Sequence, residues 1–211
     1  MTGLLDGTTV CELVREPPAR IAAIVIIGAT CSGKTTLASA VRAAAIAGVD
    51  VPQRFVTRAP RTDDVVAEAR YLDAAALDAA IAAGTVGICW SRTLEPGHTE
   101  RYAFAAPAPG LLPVYSANNA ICTHAQPPDS LRDALVVGVR APDELRDARL
   151  RKRSPSLVAC SPDEVRARLA ESSDASRRYA HVVIDNSDVH EAAAHRDIVT
   201  LVRNVLGNRR G

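Results

Sequence analysis

The stretch Gly28-Ala29-Thr30-Cys31-Ser32-Gly33-Lys34-Thr35 fits the pattern G-x-x-x-x-G-K-[ST], which places two glycines, a lysine and a hydroxyl in one short loop. A polyphosphate chain needs several inward-pointing N–H donors, a cation, and a hydroxyl to hold its metal ion. The glycines allow the backbone to curl so that successive amides face one centre. Lys34 then reaches the terminal phosphates, and Thr35 is predicted to bind Mg²⁺. The sequence therefore predicts a binding site for a polyphosphate.

The residues on either side of this loop predict the strand and the helix that such a loop connects. Residues 21–27 form a short apolar run, Ile-Ala-Ala-Ile-Val-Ile-Ile, that is typical of a strand buried on both faces. After the loop, apolar residues fall on one helical stripe, namely Leu37, Ala40, Val41 and Ala44. Gly48 is a residue type that commonly ends a helix. Because both flanks agree with the motif, a chance glycine-rich turn is the weaker interpretation.

The length and composition predict one domain, or one core with inserted lobes. The 211 residues are 47% hydrophobic but only 3% aromatic, so the core is expected to be aliphatic and rich in alanine. The formal net charge of +1 gives no general attraction for nucleic acid, and no apolar run approaches the length of a membrane span. We therefore expect neither a nucleic-acid partner nor a membrane, and we expect a monomer or a homodimer.

The cysteines and the first residues predict a cytoplasmic protein. The five cysteines are an odd number and are scattered without a C-x-x-C pair, at Cys11, Cys31, Cys89, Cys122 and Cys160. This pattern argues for reduced thiols and against a disulfide framework or a zinc site. Residues 1–6 show no basic segment followed by a long apolar one, so no signal peptide is predicted.

Strands and helices alternate along the chain, which predicts an α/β fold with a mostly parallel central sheet. Predicted strands cover residues 21–27, 54–57, 86–90, 111–115, 135–139 and 182–184, and predicted helices follow Lys34, cover 74–83 and 142–153, begin at 161, and cover 189–206. Asp73 is predicted to cap the second of these helices. Residues 91–100 are predicted to form a polar loop, and Pro113 to place its strand at an edge or near a strand start. Residues 1–20 are predicted to be a loosely packed extension.

A second stretch is Arg54-Phe55-Val56-Thr57-Arg58-Ala59-Pro60-Arg61. Two of its arginines, Arg58 and Arg61, can bind a phosphate monoester together through paired hydrogen bonds. Together with the loop at 28–35, it resembles the guanylate kinases and the related ribose 1,5-bisphosphate phosphokinases, and the resemblance extends over residues 21–206. In guanylate kinases a T-R-x-P-R loop holds the phosphate of the acceptor. The resemblance implies that Arg58 and Arg61 make that contact, with Tyr71 beside them and Tyr102 near the acceptor. A solvated basic loop is the alternative for this stretch.

The resemblance also implies a nucleotide donor, ATP with Mg²⁺, and the residues that hold it. These are Gly28, Ala29, Thr30, Cys31, Ser32, Gly33, Lys34, Thr35 and Thr36, with Asn186 near the adenine. The segment Arg149-Leu150-Arg151-Lys152-Arg153 resembles the R-L-x-x-R entrance to the family's lid, and Arg168 resembles an arginine that returns from it. With Lys34, the arginines Arg149, Arg153 and Arg168 would neutralise the phosphoryl group in transfer. A solvated basic helix face is the alternative for these arginines, and a turn is the alternative for Asn186.

Two departures from the family bear on the acceptor. Guanylate kinases carry an acid just before the position of Trp90, but Cys89 stands there in this chain. The Trp90 segment, followed by His98 and Tyr102, is closer to the bisphosphate phosphokinases. Residues 113–119 contain no carboxylate where the family places Asp-x-Asp, which leaves Asn118 or Asn119 as weak substitutes. The sequence therefore favours a ribose bisphosphate-type sugar phosphate over a nucleoside monophosphate as the acceptor.

These inferences combine into one architecture, a P-loop NTPase-type three-layer sandwich with an inserted acceptor-binding lobe and a helical lid. We predict an extension over residues 1–20 and one domain over 21–206. The core is expected at 21–53, 105–150 and 166–206, the acceptor lobe at 54–104, and the lid near 150–165. The predicted function is ATP-dependent phosphorylation of a small acceptor that already bears a phosphate. The alternative from another class is a degenerate module that binds a nucleotide or a protein partner without phosphoryl transfer.

Overall fold

The computed structural model describes residues 3–60, 69–95, 98–153, 155, 162–170 and 174–210. The strands are β1 (Cys11–Leu13), β2 (Ala23–Gly28), β3 (Val49–Asp50), β4 (Arg54–Val56), β5 (Ala69–Tyr71), β6 (Val86–Glu95), β7 (His98–Ala105), β8 (Leu112–Ser116), β9 (Ala134–Arg140) and β10 (Val182–Asp185). The α-helices are α1 (Lys34–Ala43), α2 (Ala74–Ala82), α3 (Ile121–His124), α4 (Asp143–Arg153), α5 (Pro162–Leu169) and α6 (Glu191–Arg210). Short 3₁₀ segments lie at Pro128–Leu131, Ala175–Arg178 and Asp188–His190.

A six-stranded sheet forms the centre of the fold, in the order β1-β10-β9-β2-β8-β3. All neighbouring pairs are parallel except β1 with β10, so the carboxyl ends of the parallel strands lie along one edge. β2 lies inside this sheet, and all six of its residues are buried, as its apolar sequence predicts. The loop that follows β2 therefore lies at the carboxyl edge, beside the ends of β9 and β8.

Side chains on the two faces of β2 pack against different layers. Ile24 and Ile26 belong to a core formed with the buried faces of α1 and α6. Val25 and Ile27 belong to a second core, which joins the central sheet to α3, β6 and β7. This division follows from the two-residue repeat of a strand. The layered α/β fold predicted from the sequence is confirmed.

A second sheet of four strands, in the order β5-β4-β7-β6, packs on one face of the first. The prediction of a polar loop over residues 91–100 is wrong, because β6 and β7 form a long hairpin in which Ser91 pairs with Arg101. The polar residues of this hairpin resemble a loop in sequence, but aromatic cross-strand contacts hold it in place. Trp90 stacks on Tyr102 with ring centroids 5.3 Å apart.

β8 is not an edge strand, contrary to one of the two expectations drawn from Pro113. It lies between β2 and β3 in the central sheet. Pro113 pairs with Asp50 of the two-residue β3, and the ladder to β2 begins one residue later, at Val114. The missing N–H of the proline therefore precedes the pairing with β2, which agrees with the other expectation, a proline near a strand start.

Residues 3–13 pack on the core, contrary to the prediction of a loosely packed extension. Leu4 is buried in the core that contains α1 and α6. The side chain of Asp197, on α6, is buried and accepts hydrogen bonds from the backbone N–H groups of Thr9 at 2.6 Å and Val10 at 2.7 Å. β1 then adds antiparallel to β10. A buried carboxylate with two backbone donors thus ties the N-terminal segment to the last helix.

The helix ends follow the signals that the sequence carries. Asp73 accepts a hydrogen bond from the N–H of Ala76 at 2.7 Å and caps α2, as predicted. α4 begins with two acids and ends with three bases, the arrangement that the helix dipole favours. Within the described ranges, none of the helices combines the length and the apolar character needed to cross a membrane.

Replacing Asp197 with Ala should lower the free energy of unfolding by about 2–4 kcal/mol, because it removes hydrogen bonds to a charged acceptor. Urea denaturation measures this loss, and limited proteolysis should show earlier cleavage within residues 3–13. Asp78→Ala is the control, since Asp78 pairs with Arg101 on the surface, and its loss should change the unfolding free energy by less than about 1 kcal/mol. Equal effects of the two substitutions would contradict the role assigned to Asp197.

Candidate active site

The loop between β2 and α1 has the left-handed residues that a phosphate-binding nest requires. β2 ends at Gly28, and α1 begins at Lys34. Gly33, the residue before α1, has φ = 98°, and Cys31 has φ = 62°. Left-handed residues in a short loop turn successive N–H groups towards one side. The predicted order of strand, loop and helix is confirmed.

Two glycines of this loop are also required by close contacts. A Cβ on Gly28 would lie 2.6 Å from both Ser32 Oγ and the carbonyl oxygen of Val139. A Cβ on Gly33 would overlap the side-chain amide of Asn186. Both positions therefore exclude a larger residue, because neither the backbone of β9 nor a buried amide can easily move aside.

The first turn of α1 offers its N–H groups to a ligand. Among the described residues, no side chain caps this helix, and its first turn holds no acidic residue. Uncapped N–H groups and the positive end of the helix dipole together favour an anion. Lys34 Nζ donates a hydrogen bond to the carbonyl oxygen of Ala29 at 2.8 Å, which holds the ammonium against the loop. Thr35 is half-buried in the same turn, and Thr36 is exposed.

Asn186 and Arg149 meet beside the loop. The buried Asn186 donates from Nδ2 to the carbonyl oxygen of Ser32 at 2.8 Å. Arg149 Nη2 donates to the backbone carbonyl of Asn186 at 3.2 Å and lies 3.8 Å from the carboxylates of Asp188 and Glu191. Arg149 Nη1 and Asn186 Oδ1 are buried without a hydrogen-bond partner in the described part of the chain. An open buried donor and acceptor next to a phosphate loop fit the base or the ribose of a nucleotide.

The turn that carries Asn186 is anchored by a charged carboxylate. Burial alone would raise the pKa of Asp185, but hydrogen bonds from Ser187 and His190 and the nearby guanidinium of Arg140 hold this pKa below its ordinary value. Arg140 Nη2 lies 3.5 Å from Asp185 Oδ2. Asp185 is therefore ionised at neutral pH, and by accepting a hydrogen bond from the Ser187 N–H it fixes the backbone around Asn186.

Three of the residues predicted to bind the acceptor lie together on the second sheet. The Arg58 guanidinium lies over the ring of Tyr71 at 5.7 Å, within reach of a cation–π contact. Its Nε lies 3.9 Å from Glu100 Oε1, and the Tyr102 hydroxyl donates to the other oxygen of Glu100. Glu100 is only 3% exposed, so a buried carboxylate joins the cluster. Arg61, the fourth predicted residue, lies outside the described residues.

Glu100 was not among the predicted site residues, because residues 91–100 resemble a polar loop in sequence. In the structure, β7 lies between β4 and β6, and Glu100 and Tyr102 are two residues apart on it. Residues two apart on a strand share a face, so both side chains reach the same cluster. The spacing of Glu100, Tyr102 and Phe104 was the signal that could have revealed this face.

A cleft lies between α1 and the second sheet. It is lined by Thr35, Ala38, Ser39 and Arg42 of α1, by Val51 and Pro52, by Arg54 and Phe104 of the second sheet, and by Ser116 at the end of β8. This lining contains two arginines and several hydroxyls but no carboxylate. Arg54 Nε and Ser116 Oγ are buried and have no hydrogen-bond partner within the described ranges. Such a lining suits an anion or another hydrogen-bond acceptor.

Asn118 does not replace the carboxylate that the family places after this strand. Its Oδ1 accepts hydrogen bonds from Trp90 Nε1 and from the N–H of Ala120, each at 3.1 Å. Both lone pairs of the oxygen are therefore engaged in structure, and the expectation for Asn118 is wrong. No three His, Cys, Asp or Glu side chains of the described residues form a metal cluster. Thr35 alone is still compatible with Mg²⁺, because this ion usually keeps several waters and binds through substrate phosphates.

The arginines predicted for the lid lie on α4 and α5. Arg153 is the last residue of α4 and is exposed, and Arg168 lies on α5, with a side chain outside the described part of the structure. Residues 154 and 156–161, within the predicted lid, also lie outside it. Arg149 is the arginine of this set that the described residues place at the phosphate loop.

Two partly buried thiols are unreactive at neutral pH. Burial raises the pKa of Cys122 to about 12, and burial together with the Asp197 carboxylate raises the pKa of Cys11 to about 12. Because the thiolate is the reactive form, both side chains act as packing groups at neutral pH. Cys160 lies outside the described residues.

Comparison with known proteins establishes the fold. No family model matches the chain, and no curated protein matches it. Among solved structures, it is similar to the crystal structure of guanylate kinase from Anaplasma phagocytophilum, with a TM-score of 0.51 and 12% sequence identity over 88% of this chain and 87% of that chain. The chain therefore has the P-loop fold of that kinase, as the sequence predicted.

Gly33→Ala should abolish the thermal stabilisation that ATP gives to the unmodified protein. The new Cβ would overlap the side chain of Asn186, and the left-handed backbone of Gly33 is a conformation that alanine rarely adopts. Gly84→Ala is the matched control, since Gly84 has φ = +68° but a Cβ there meets nothing within 4 Å. Each substitution should destabilise the fold by about 1–2 kcal/mol through its backbone conformation. Thermal shift with and without ATP separates them, and a Gly33→Ala protein with an undiminished ATP response would contradict this loop geometry.

Proposed function

We propose that this chain is an ATP-dependent phosphotransferase whose acceptor already carries a phosphate group. The observation that carries this proposal is the presence of two regions suited to anions. One is the loop with Lys34 and the uncapped start of α1, and the other is the pair of Arg58 and Tyr71 at the second sheet. A cleft is lined by residues of both elements, Thr35 of α1 and Arg54 of β4. Holding two anions near each other is the requirement of a reaction between two phosphate-bearing substrates.

At the donor end, the chain's own residues supply the groups that a nucleoside triphosphate requires. The uncapped N–H groups at the start of α1 would bind the phosphates, and Lys34 can exchange the Ala29 carbonyl for a phosphate oxygen. Arg149 Nη1 and Asn186 Oδ1 are buried without a partner among the described residues, and we assign them to the base or the ribose. Mg²⁺, held through the Thr35 hydroxyl, would add positive charge to the phosphate oxygens.

The composition of the chain supports the role of Lys34. Lysine and arginine together number 25, but only Lys34 and Lys152 are lysines. A lysine inside the loop is therefore not explained by a general abundance of lysine. Its compact ammonium, with three rotatable donors, suits the narrow interior of a phosphate loop better than a planar guanidinium does.

The transfer requires no general base. An acceptor phosphate oxygen, already anionic, forms a bond to the terminal phosphorus of the triphosphate in line with the bond that breaks. The electron pair of the broken bond stays on the bridging oxygen, and the diphosphate leaves. The protein positions both anions and offsets their charge, through Lys34 and Arg149 on the donor side and Arg58 on the acceptor side. Closure of the lid would add Arg153 and Arg168.

As the acceptor we propose a nucleoside monophosphate rather than a sugar bisphosphate. Trp90, on which the sugar phosphate expectation depended, is 2% exposed, stacks on Tyr102 and donates to Asn118, so it serves the core. Glu100 places a buried carboxyl group 3.9 Å from Arg58, and its oxygens compete with a second phosphate for that guanidinium. The same carboxylate suits an acceptor that presents N–H or hydroxyl donors.

A second candidate is a nucleotide-binding module without transfer activity. One observation favours it, the lack of any carboxylate in residues 112–119 at the end of β8, where Asn118 is engaged by Trp90. Such a module would keep its affinity for ATP and transfer phosphate to no acceptor.

A combined binding and turnover experiment tests the proposal. Thermal shift is measured with a non-hydrolysable ATP analogue, with each common nucleoside monophosphate, with ribose 1,5-bisphosphate, and with pairs of these. ADP release and phosphorus NMR then identify any product. We expect joint stabilisation by the analogue and a nucleoside monophosphate, followed by transfer to that acceptor. Transfer to ribose 1,5-bisphosphate would replace the nucleoside monophosphate as the acceptor. Transfer to no acceptor would favour the nucleotide-binding module. No thermal response to ATP would refute both candidate functions.

Lys34→Ala should lower kcat/KM by about 10³-fold or more, because the charge beside the transferred phosphoryl group is lost. The unfolding free energy should change by less than about 1 kcal/mol, since the side chain is not part of the core. Lys152→Ala removes the other lysine and should leave the rate unchanged. Steady-state kinetics measures both, and a fully active Lys34→Ala protein would remove the loop from the mechanism.

Arg58→Ala should raise the KM of the phosphorylated acceptor by about tenfold or more while the KM of ATP changes little, because the clasp on the acceptor's phosphate is lost. Arg101→Ala is the control on the neighbouring strand, since its guanidinium pairs with Asp78 at 2.7 Å on the surface. Initial rates with each substrate varied in turn give both constants. Equal increases in the two KM values would contradict the assignment of Arg58 to the acceptor.

A further inference from the structure

We infer that Arg146 is a positioning residue that holds the phosphate loop in its binding conformation from behind. The inference depends on the proposed function only in that the loop binds the phosphates of a nucleotide. Arg146 lies in the first half of α4, three residues before Arg149, and its side chain has 0% exposure. A fully buried arginine is uncommon and stays charged, so the fold must provide partners for it.

The partners of Arg146 are the phosphate loop and the start of α4. Arg146 Nε donates a hydrogen bond to the carbonyl oxygen of Thr30 at 2.8 Å. Its Nη1 donates to Asp143 Oδ1 at 2.7 Å. The third nitrogen, Nη2, is buried without a partner among the residues that the structure describes. The guanidinium is thus fixed by two contacts, one of which lies in the middle of the loop.

The contact with Thr30 sets the direction of the next amide. In a trans peptide the C=O and the N–H point to opposite sides, so holding the Thr30 carbonyl towards α4 turns the Cys31 N–H away from α4. Cys31 is a non-glycine residue with φ = 62°, a conformation that persists only when its surroundings impose it. Arg146 can impose this conformation, because it donates a hydrogen bond to the carbonyl of the peptide immediately before Cys31.

Arg146 also places a charge behind the loop. Its partner Asp143 is 64% exposed, so water and salt screen the carboxylate much more than they screen the buried guanidinium. The positive potential of Arg146 is therefore incompletely cancelled at the loop, and it adds to that of Lys34 and the helix dipole. A polyphosphate gains from this potential, whereas a neutral nucleoside does not.

The test compares Arg146→Met with Arg146→Lys and with Arg151→Met as the matched control. Arg151 lies on the same helix and pairs with Asp147 at 2.6 Å, but it is exposed and has no contact with the loop among its described bonds. Calorimetry measures the affinity for ATP and for ADP, and urea denaturation measures the unfolding free energy. Met fills similar space without a charge, but it leaves the buried Thr30 carbonyl without this donor, so the stability is expected to fall as well.

We expect Arg146→Met to fold with a lowered unfolding free energy and, in its folded fraction, to bind ATP about tenfold more weakly or worse. Arg146→Lys, which keeps the charge and one donor, should recover part of the affinity, and Arg151→Met should bind ATP normally. A role in stability alone predicts a loss of unfolding free energy with unchanged ATP affinity in the folded fraction of Arg146→Met.

Unchanged ATP affinity in Arg146→Met would overturn the inference while leaving the proposed phosphotransferase intact. If Arg146→Met does not fold, Arg146→Lys decides alone. A folded Arg146→Lys protein that has a lowered stability but binds ATP as tightly as the unmodified protein would also overturn the inference. The proposed function fails separately, through an unmodified protein that binds ATP and transfers phosphate to no acceptor.

Discussion

The whole site depends on one constraint on the backbone, the left-handed conformation of Cys31 and Gly33 in the phosphate loop. When the amides of a loop turn to one side, its carbonyls turn to the other, and a buried carbonyl needs a donor. Three side chains donate to the loop carbonyls: Lys34 to Ala29, Arg146 to Thr30, and Asn186 to Ser32. Under the proposed function Lys34 leaves Ala29 for a phosphate, whereas the bonds from Arg146 and Asn186 remain and keep the loop in shape.

The sheet topology explains how these donors come together from distant parts of the chain. β9 pairs in parallel with β2 and β10 pairs in parallel with β9, so the segments after all three strands emerge at the same edge. Arg146 follows β9, and Asn186 follows β10 directly. The parallel order β10-β9-β2 thus brings Arg146 and Asn186 within hydrogen-bond distance of a loop that lies more than a hundred residues earlier in the chain.

The parts of the site that sequence predicts are those with a local signature. The loop at 28–35, its strand and its helix are set by glycines and apolar residues adjacent in the chain, and all three are found as expected. Arg146 has no such signature, because α4 contains several arginines and only packing decides which one is buried. Its position one turn before the buried Leu150 is a weak clue. Glu100 was hidden for a similar reason, since polar residues on a hairpin resemble a loop until the pairing is known.

The loop and the second sheet offer ligands different charges. Lys34, Arg146 and Arg149 lie at the loop, so each phosphate added to a ligand there gains attraction. At the second sheet, Arg58 lies beside the buried Glu100. A site with one guanidinium and one carboxyl group favours a ligand that carries a phosphate and also hydrogen-bond donors, and it disfavours a second phosphate.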